Sequence, residues 1–133
     1  MATEQGASTP GARHQLGDLV LKRKGELRLS YEKLADRCVD PTSGEKAVKS
    51  SWLHRIATRL PVQAPDVGQL RGMAAGLEVP LHTVQDAAAA QFFGMDSVYS
   101  RDRKVRATVP GFEDLSPEDQ RKVMELVERF QRG

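Results

Sequence analysis

Two short amphipathic patterns that follow each other between residues 29 and 60 constrain this chain more than any other feature. Ser30 can cap a first helix, because its hydroxyl can accept a hydrogen bond from a free backbone amide of the first turn. Apolar side chains then recur at helical spacing, at Tyr31, Leu34, Ala35 and Cys38. Ser50 or Ser51 can cap a second helix. The apolar side of this second helix consists of Leu53, Ile56 and Leu60. Two small amphipathic helices in tandem are typical of a helix-turn-helix motif.

The same periodicity predicts three further helices around this pair. An apolar stripe predicts one helix over residues 15–27. Asp66 begins another, because Gln69 three residues later completes a capping box. The third lies between Pro80 and Gly94, residue types that favour the start and the end of a helix. The predicted helices therefore cover about residues 15–27, 31–38, 51–58, 67–77 and 81–93.

The connection between the two central helices is unusually long. Residues 39–48 make ten residues where three or four usually suffice, and the Asp-Pro and Ser-Gly pairs within them are turn signals. One interpretation is a tolerated surface insertion, since lengthening a loop costs little entropy. The other is a wing that contacts DNA through Lys46 or Thr42. We also expect that the loop can end in an early helical turn at residues 45–47.

Composition and length limit the remaining possibilities. With 133 residues, 39% hydrophobic and 29% charged, the chain fits one soluble domain with appendages. No apolar run approaches the roughly 18 residues of a membrane-spanning helix, and no signal-peptide core precedes residue 15. We therefore expect no contact with a membrane, a cytoplasmic location and a disordered arm over residues 1–14. Cys38 is the single cysteine and the three histidines are scattered, so neither a metal site nor a cofactor is expected.

Positive charge is concentrated around the central helices. Residues 13–60 contain eleven Lys and Arg against six Asp and Glu, a net charge of +5, whereas residues 61–133 contain nine against eleven, a net charge of −2. An excess of this kind suits the phosphates of a nucleic acid. The chain has no glycine-rich phosphate loop, nucleophile elbow or cluster of metal ligands, so we do not expect an enzyme.

The C-terminal forty residues carry two further patterns. Residues 95–115 contain two β-prone runs around Arg101-Asp102-Arg103-Lys104, which indicates a linker or a small β-hairpin. Residues 116–133 form a helix, because Ser116 can cap it and Pro117 suits its first position. Its apolar stripe consists of Val123, Leu126, Val127 and Phe130. That stripe must be buried either against the rest of the chain or against a second copy, and we favour dimerisation.

These patterns together resemble the lambda-repressor-like helix-turn-helix domain of the XRE family. The resemblance covers residues 15–93, and its clearest parts are Leu29-Ser30-Tyr31-Glu32-Lys33-Leu34-Ala35 and Ser50-Ser51-Trp52-Leu53-His54-Arg55-Ile56. Leu16-Gly17-Asp18-Leu19 and residues 70–81 also fit. The resemblance implies an all-α protein with a five-helix DNA-binding domain over residues 15–94. Its third helix would enter the major groove of double-stranded DNA, usually from a homodimer on a two-fold operator.

The resemblance also implies which side chains contact DNA. The reading positions of the family correspond to Lys49, Ser50, Ser51, His54 and Arg55, while Tyr31 stands where the family often has a phosphate-binding glutamine. Arg59 follows the third helix in place of the family's usual Glu-x-Gly turn. The expected function is that of a sequence-specific transcriptional regulator. The alternative is a protein-interaction module, an adaptor or antitoxin-like protein that keeps the fold but binds another protein through the C-terminal stripe or around Trp52.

Overall fold

Helices account for most of the computed structural model, which describes residues 13 to 132. The chain divides between Phe92 and Phe93 into two compact units. The helices of the first are α1 (Gln15–Leu27), α2 (Tyr31–Arg37), α3 (Ser50–Ala57), α4 (Val67–Leu77) and α5 (Leu81–Phe93), the last of which ends one residue beyond the boundary. The second contains β1 (Met95–Tyr99), β2 (Arg106–Pro110), a short 3-10 helix (Phe112–Asp114) and α6 (Pro117–Arg132). The described chain is therefore mainly α-helical with one two-stranded sheet.

Two of the sequence expectations concern the ends of the chain and its relation to a membrane. Of the N-terminal arm expected over residues 1–14, the first twelve lie outside the described residues. Among residues 13–132, no helix combines the length and the apolar character that a membrane crossing requires.

The core of the first unit is built from the apolar stripes of its five helices. The side chains that are fully buried there are Leu16, Val20, Leu34, Cys38, Leu53, Ile56, Met73, Leu77 and Val84. Four of the nine, Leu34, Cys38, Leu53 and Ile56, lie on the apolar sides predicted for the two central helices. Full burial of one such aliphatic side chain contributes about 1.5 to 3 kcal/mol, so these stripes, rather than helix propensity, hold the short helices together.

The predicted N-terminal caps are present at two helices of the first unit. At α2, the Ser30 hydroxyl accepts a hydrogen bond of 3.1 Å from the Lys33 amide. At α4, Asp66 and Gln69 exchange two hydrogen bonds of 2.8 Å, which completes the capping box. Each cap of this kind contributes about 1 kcal/mol and fixes where the helix begins.

The start of α3 differs from the prediction. This helix begins at Ser50, Lys49 occupies the cap position, and no side chain makes a cap hydrogen bond. The expected caps at Ser50 and Ser51 were therefore wrong, as was the early turn at residues 45–47, which are not helical. The reason is that the buried Val48 side chain anchors the chain directly before Lys49, so the helix starts earlier than serine capping would require.

Close backbone contact joins α1 to α3. A Cβ atom at Gly17 would overlap the carbonyl oxygen of Ile56 and lie 3.1 Å from its carbonyl carbon, so only glycine fits at this position. The amides of Leu16 and Gly17 donate to Gln91 Oε1 of α5, at 2.8 and 3.0 Å. The start of α1 is thus fixed both by the backbone of α3 and by a side chain from the far end of the first unit.

In the second unit, the predicted hairpin forms and α6 packs on it. Strands β1 and β2 are antiparallel, with Tyr99 opposite Arg106 and Met95 opposite Pro110. The amide of Asp119 donates to the Ser116 hydroxyl at 3.1 Å, which confirms the predicted cap of α6. Because a two-stranded sheet is marginal on its own, the contact between β1 and α6 is what stabilises it.

Candidate nucleic-acid interface

One side of α3 is buried in the core and the other is polar. Leu53, Ile56 and Ala57 point inward. The exposed side chains along this helix and its flanks are those of Lys49, Ser51, His54, Arg55, Thr58, Arg59 and Leu60, while Ser50 is half-buried. The expectation that Leu60 belongs to the buried side was wrong, because α3 ends at Ala57 and the chain turns away through a left-handed Arg59. No carboxylate occurs in the chain between Glu45 and Asp66. The exposed side of α3 therefore presents hydroxyl, imidazole, ammonium and guanidinium groups without an acidic residue of its own.

Tyr31, the first residue of α2, connects this surface to α1. Its ring meets the His54 imidazole edge to face, with 5.1 Å between the ring centroids and an interplanar angle of 87°. The Lys24 ammonium lies 4.4 Å from the centre of the Tyr31 ring, where the negative face of the ring attracts a cation. Helices α1, α2 and α3 each supply one side chain to this Lys24–Tyr31–His54 cluster, which therefore lies beside the exposed side of α3.

Arg55 is oriented by the backbone that follows α3. One guanidinium nitrogen, Nη2, donates a hydrogen bond of 2.8 Å to the Pro61 carbonyl oxygen. This bond uses one of the five N–H donors that an arginine carries. The side chain is thus held at the surface with donors left over, a geometry in which a guanidinium can still bind a base edge or a phosphate.

Arg59 lies at the end of α3 in a conformation that usually requires glycine. Its φ is 65°, and the Leu60 amide donates back to the Arg55 carbonyl at 2.9 Å, the bond pattern of a glycine-type helix end. Its guanidinium Nη2 lies 3.2 Å from both carboxylate oxygens of Asp18 on α1. Among the contact residues that the family resemblance implies, Arg59 is therefore the one engaged by a carboxylate.

A groove of about 880 Å³ lies between α2 and the start of α3. Trp52 lines it and is half-buried against the core. The charged residues of the lining are Glu32, Asp36, Lys46, Lys49 and Arg55. Asp36 and Lys46 form an exposed ion pair of 2.7 Å. The groove therefore has a carboxylate side on α2 and a basic side on α3, and only the α3 side suits phosphate.

The long loop before α3 is folded rather than loose. Its ends pair through an isolated bridge between Val39 and Lys46, and the Ala47 amide donates to the Cys38 carbonyl at 2.8 Å. Near its start, the Arg71 guanidinium of α4 donates two hydrogen bonds of 2.9 Å to the Asp40 carboxylate. The loop is thus clamped to α4, and the chain enters α3 from a fixed point.

Glycines in α4 allow this loop to lie directly on the helix. A Cβ atom at Gly72 would collide with the Ala47 side chain, and one at Gly76 would lie 2.5 Å from the sulfur of Cys38. The Ala47 side chain of the loop and the backbone of Cys38, at the end of α2, therefore lie directly on α4. Neither of the two interpretations of the loop anticipated this contact.

Electrostatic interactions strengthen the Asp40–Arg71 pair, and burial keeps the Cys38 thiol protonated. The hydrogen bonds from Arg71 lower the pKa of Asp40 to about 2, helped by the backbone amide of Thr42. The same pairing raises the pKa of Arg71. Burial raises the pKa of the Cys38 thiol to about 11, against a small opposing effect of Arg37. Both Asp40 and Cys38 thus keep one protonation state around neutral pH.

Sequence reasoning missed several residues that position this surface. The Asp40–Arg71 pair spans 31 positions and has no periodic signal. Arg23 of α1 donates through its Nε to the Leu77 carbonyl at the end of α4, at 2.8 Å. Lys24 contacts the Tyr31 ring of the next helix. The one available signal was that Arg23 is a basic residue at a position of the apolar stripe of α1, and it did not indicate the partner.

The structure divides the C-terminal stripe. Val127 is buried within the second unit at 3% exposure, and Val123 is half-buried. Leu126 and Phe130 are 51% and 75% exposed. Only the second pair is accessible to a partner, because the first already packs within its own unit.

No protein-family model, curated protein or solved structure matches the chain. In the part of the chain that the structure describes, no three His, Cys, Asp or Glu side chains are grouped so as to hold a metal ion.

Proposed function

We propose that this protein is a sequence-specific, double-stranded-DNA-binding transcriptional regulator that inserts α3 into the major groove. The observation that carries the proposal is the exposed side of α3, from Lys49 to Arg55, which presents donors and positive charge without a carboxylate. Arginine can bind guanine through two hydrogen bonds, and serine or histidine can bind a base or a phosphate. The packing of α3 against α2 and α1 supports a helix-turn-helix with an extended turn.

The residues around α3 take different roles in this proposal. Arg55 and His54 face base edges, and Lys49, Ser50 and Ser51 sit at the start of the helix, where contacts to bases or phosphates are made. Lys24 and Tyr31 contact the phosphate backbone beside the groove, through an ammonium and a phenolic hydroxyl. Arg59 stabilises the end of α3 against Asp18 and adds to the positive field.

The test is selection from a randomised duplex library, followed by binding measurements on the enriched and a scrambled site. Arg55→Ala should reduce the preference between the two sites by about 1 to 3 kcal/mol, because each bidentate base contact carries that much discrimination. Arg129→Ala removes the same charge from an exposed position of α6 and should leave the preference unchanged. If Arg55→Ala discriminates as well as the wild type, α3 does not read the sequence.

The proposal includes a homodimer formed through α6. The exposed Leu126 and Phe130 support it, since two reading helices on a two-fold site require a partner surface. Sedimentation should show a dimer for the wild type and a monomer for Leu126→Asp/Phe130→Asp.

The same two side chains also favour a second candidate, a module that binds a different protein. If the wild type sediments as a monomer and selects no site from the library, the protein-binding module is the better description and the regulator is refuted.

A further inference from the structure

The turn between β1 and β2 is rigid, although its sequence is four consecutive charged residues. Ser100 organises it from a buried position. Its amide donates to the Val105 carbonyl at 2.9 Å, and its carbonyl accepts from the Arg103 amide at 2.9 Å. Its hydroxyl accepts from the Val105 amide at 3.1 Å. The residues between, 101–104, are therefore displayed by a fixed backbone, and we refer to them as the basic turn.

The single acidic residue of the basic turn, Asp102, is hydrogen-bonded within the turn. Its Oδ1 accepts hydrogen bonds from the Ser100 hydroxyl at 2.9 Å and from the Lys104 amide at 3.0 Å. Its Oδ2 lies 4.0 Å from the Lys104 ammonium, in an exposed ion pair. The side chains of Arg101, Arg103 and Lys104 are all exposed. The turn thus displays three cations and one carboxylate, and its net charge is +2.

Arg103 is held in place by an aromatic ring. Its guanidinium carbon lies 4.2 Å from the centre of the Tyr99 ring, and its backbone φ is 63°. When a guanidinium stacks on an aromatic ring, its N–H groups point outward in the plane of the guanidinium, where they can donate hydrogen bonds to a phosphate. Arg106, opposite Tyr99 in the sheet register, lies on the same face, with Nη2 3.3 Å from the Ser97 hydroxyl. The cationic surface therefore continues from the turn onto the hairpin.

The neighbouring helix does not neutralise this surface. Glu128 of α6 accepts a hydrogen bond of 2.7 Å from the Arg101 amide, which fixes the turn to the helix. The α6 residues that line the recess beside Arg101 include two acidic side chains, Glu125 and Glu128, and two basic ones, Arg121 and Arg129. Their charges balance, so the net positive charge of the basic turn persists.

We propose that the basic turn is a second DNA-binding surface, which contacts the phosphates of a duplex without reading its sequence. Three exposed cations on a fixed backbone suit a regular array of phosphates. The exposed side chains of the turn are all charged, which disfavours insertion into a lipid surface, because such insertion needs exposed apolar groups. The inference rests on the proposed function insofar as α3 brings a duplex to the same protein.

The test compares full-length proteins on two labelled duplexes, the site enriched by selection and a scrambled one, over a series of salt concentrations. For Arg101→Gln/Arg103→Gln/Lys104→Gln, the slope of log K against log salt should become shallower by about 0.9 for each lost phosphate contact, on both duplexes alike. The ratio of affinities for the two duplexes should stay unchanged. The single variant Arg103→Gln should shift the slope, and Lys122→Gln, an equal charge change on α6, should not.

The outcomes separate this inference from the proposed function. A triple variant with the slope of the wild type overturns the inference, whatever the selectivity of the protein. Retention on a polyglutamate column is measured in parallel. If the triple variant keeps the salt slope of the wild type but is no longer retained on polyglutamate, the ligand of the basic turn is an acidic protein rather than DNA. A wild type without preference between the two duplexes refutes the proposed reading by α3, while a shallower slope of the triple variant on the scrambled duplex still supports the basic turn.

Discussion

Alanine at Gly17 and alanine at Gly25 should change the stability of the first unit in opposite directions. Both glycines lie in α1, and both substitutions gain about 1 kcal/mol of helix propensity. At Gly25 nothing lies within 4 Å of the new Cβ atom, so the gain is kept. At Gly17 the new atom overlaps the backbone of Ile56 in α3, which cannot rotate away as a side chain can.

The size of the difference follows from these contacts. Overpacking of a filled core typically costs about 1 to 3 kcal/mol, and a backbone neighbour places Gly17→Ala at the upper end of that range. After the propensity gain, Gly17→Ala should be about 2 kcal/mol less stable than the wild type, whereas Gly25→Ala should be about 1 kcal/mol more stable. For a unit of this size, 1 kcal/mol corresponds to about 4 to 8 °C in Tm.

Urea unfolding followed by tryptophan fluorescence measures this difference directly, because Trp52 is the sole tryptophan and lies half-buried in the first unit. The midpoint should fall for Gly17→Ala and rise for Gly25→Ala, with similar m-values for both. Equal stabilisation by the two variants would refute the backbone contact between α1 and α3. It would also remove the evidence that the backbone of α3 fixes the start of α1.

Three further results are expected. Arg28→Gly should stabilise the protein by about 1 kcal/mol in a thermal melt, because Arg28 ends α1 with φ 57°, and a destabilised variant would contradict the left-handed assignment. The Asp40–Arg71 pair should stabilise the fold above the ordinary carboxyl pKa of 3.8 and lose this effect as the pH falls towards about 2. Asp40→Asn should therefore show a weaker pH dependence of unfolding between pH 4 and pH 2, and a wild-type dependence would exclude the clamp. Cys38 should react slowly with a thiol reagent at pH 8 in the folded protein and rapidly in urea, and immediate native labelling would contradict its burial.

Local signals were sufficient for most of the helices. Periodicity gave α1 and α5 with the observed bounds, and capping residues such as Ser30 and Asp66 marked the starts of α2 and α4. These features depend on residues three or four positions apart, which a sequence displays directly. These local features predict where each helix lies along the chain. They do not specify that α2 and α3 act as a helix-turn-helix, which the DNA-binding experiments test.

Longer-range contacts were not predictable in the same way. The start of α3 is determined by burial of Val48 in the core. This burial, rather than capping by a serine, fixes the first residue of the helix. The left-handed backbone conformation at Arg59, which follows α3, is not marked in the sequence by a glycine. The hydrogen bonds of Asp102 to Ser100 and to the Lys104 amide, which order the turn, are not marked by any periodic pattern in the sequence. Each of these features depends on a partner that the spacing of residues does not reveal.

The clamped loop couples two segments of the chain that are distant in sequence. Gly72 leaves room for Ala47 of the loop, and Arg71 has Asp40 of the loop as its partner, whereas Gly76 leaves room for Cys38 at the end of α2. A shorter connection before α3, without Asp40 and Ala47, would uncover α4 beside Gly72 but not beside Gly76. We therefore expect a variant with a shortened loop to accept alanine at Gly72 and still to reject it at Gly76, so the length of the loop determines which side chains α4 can carry.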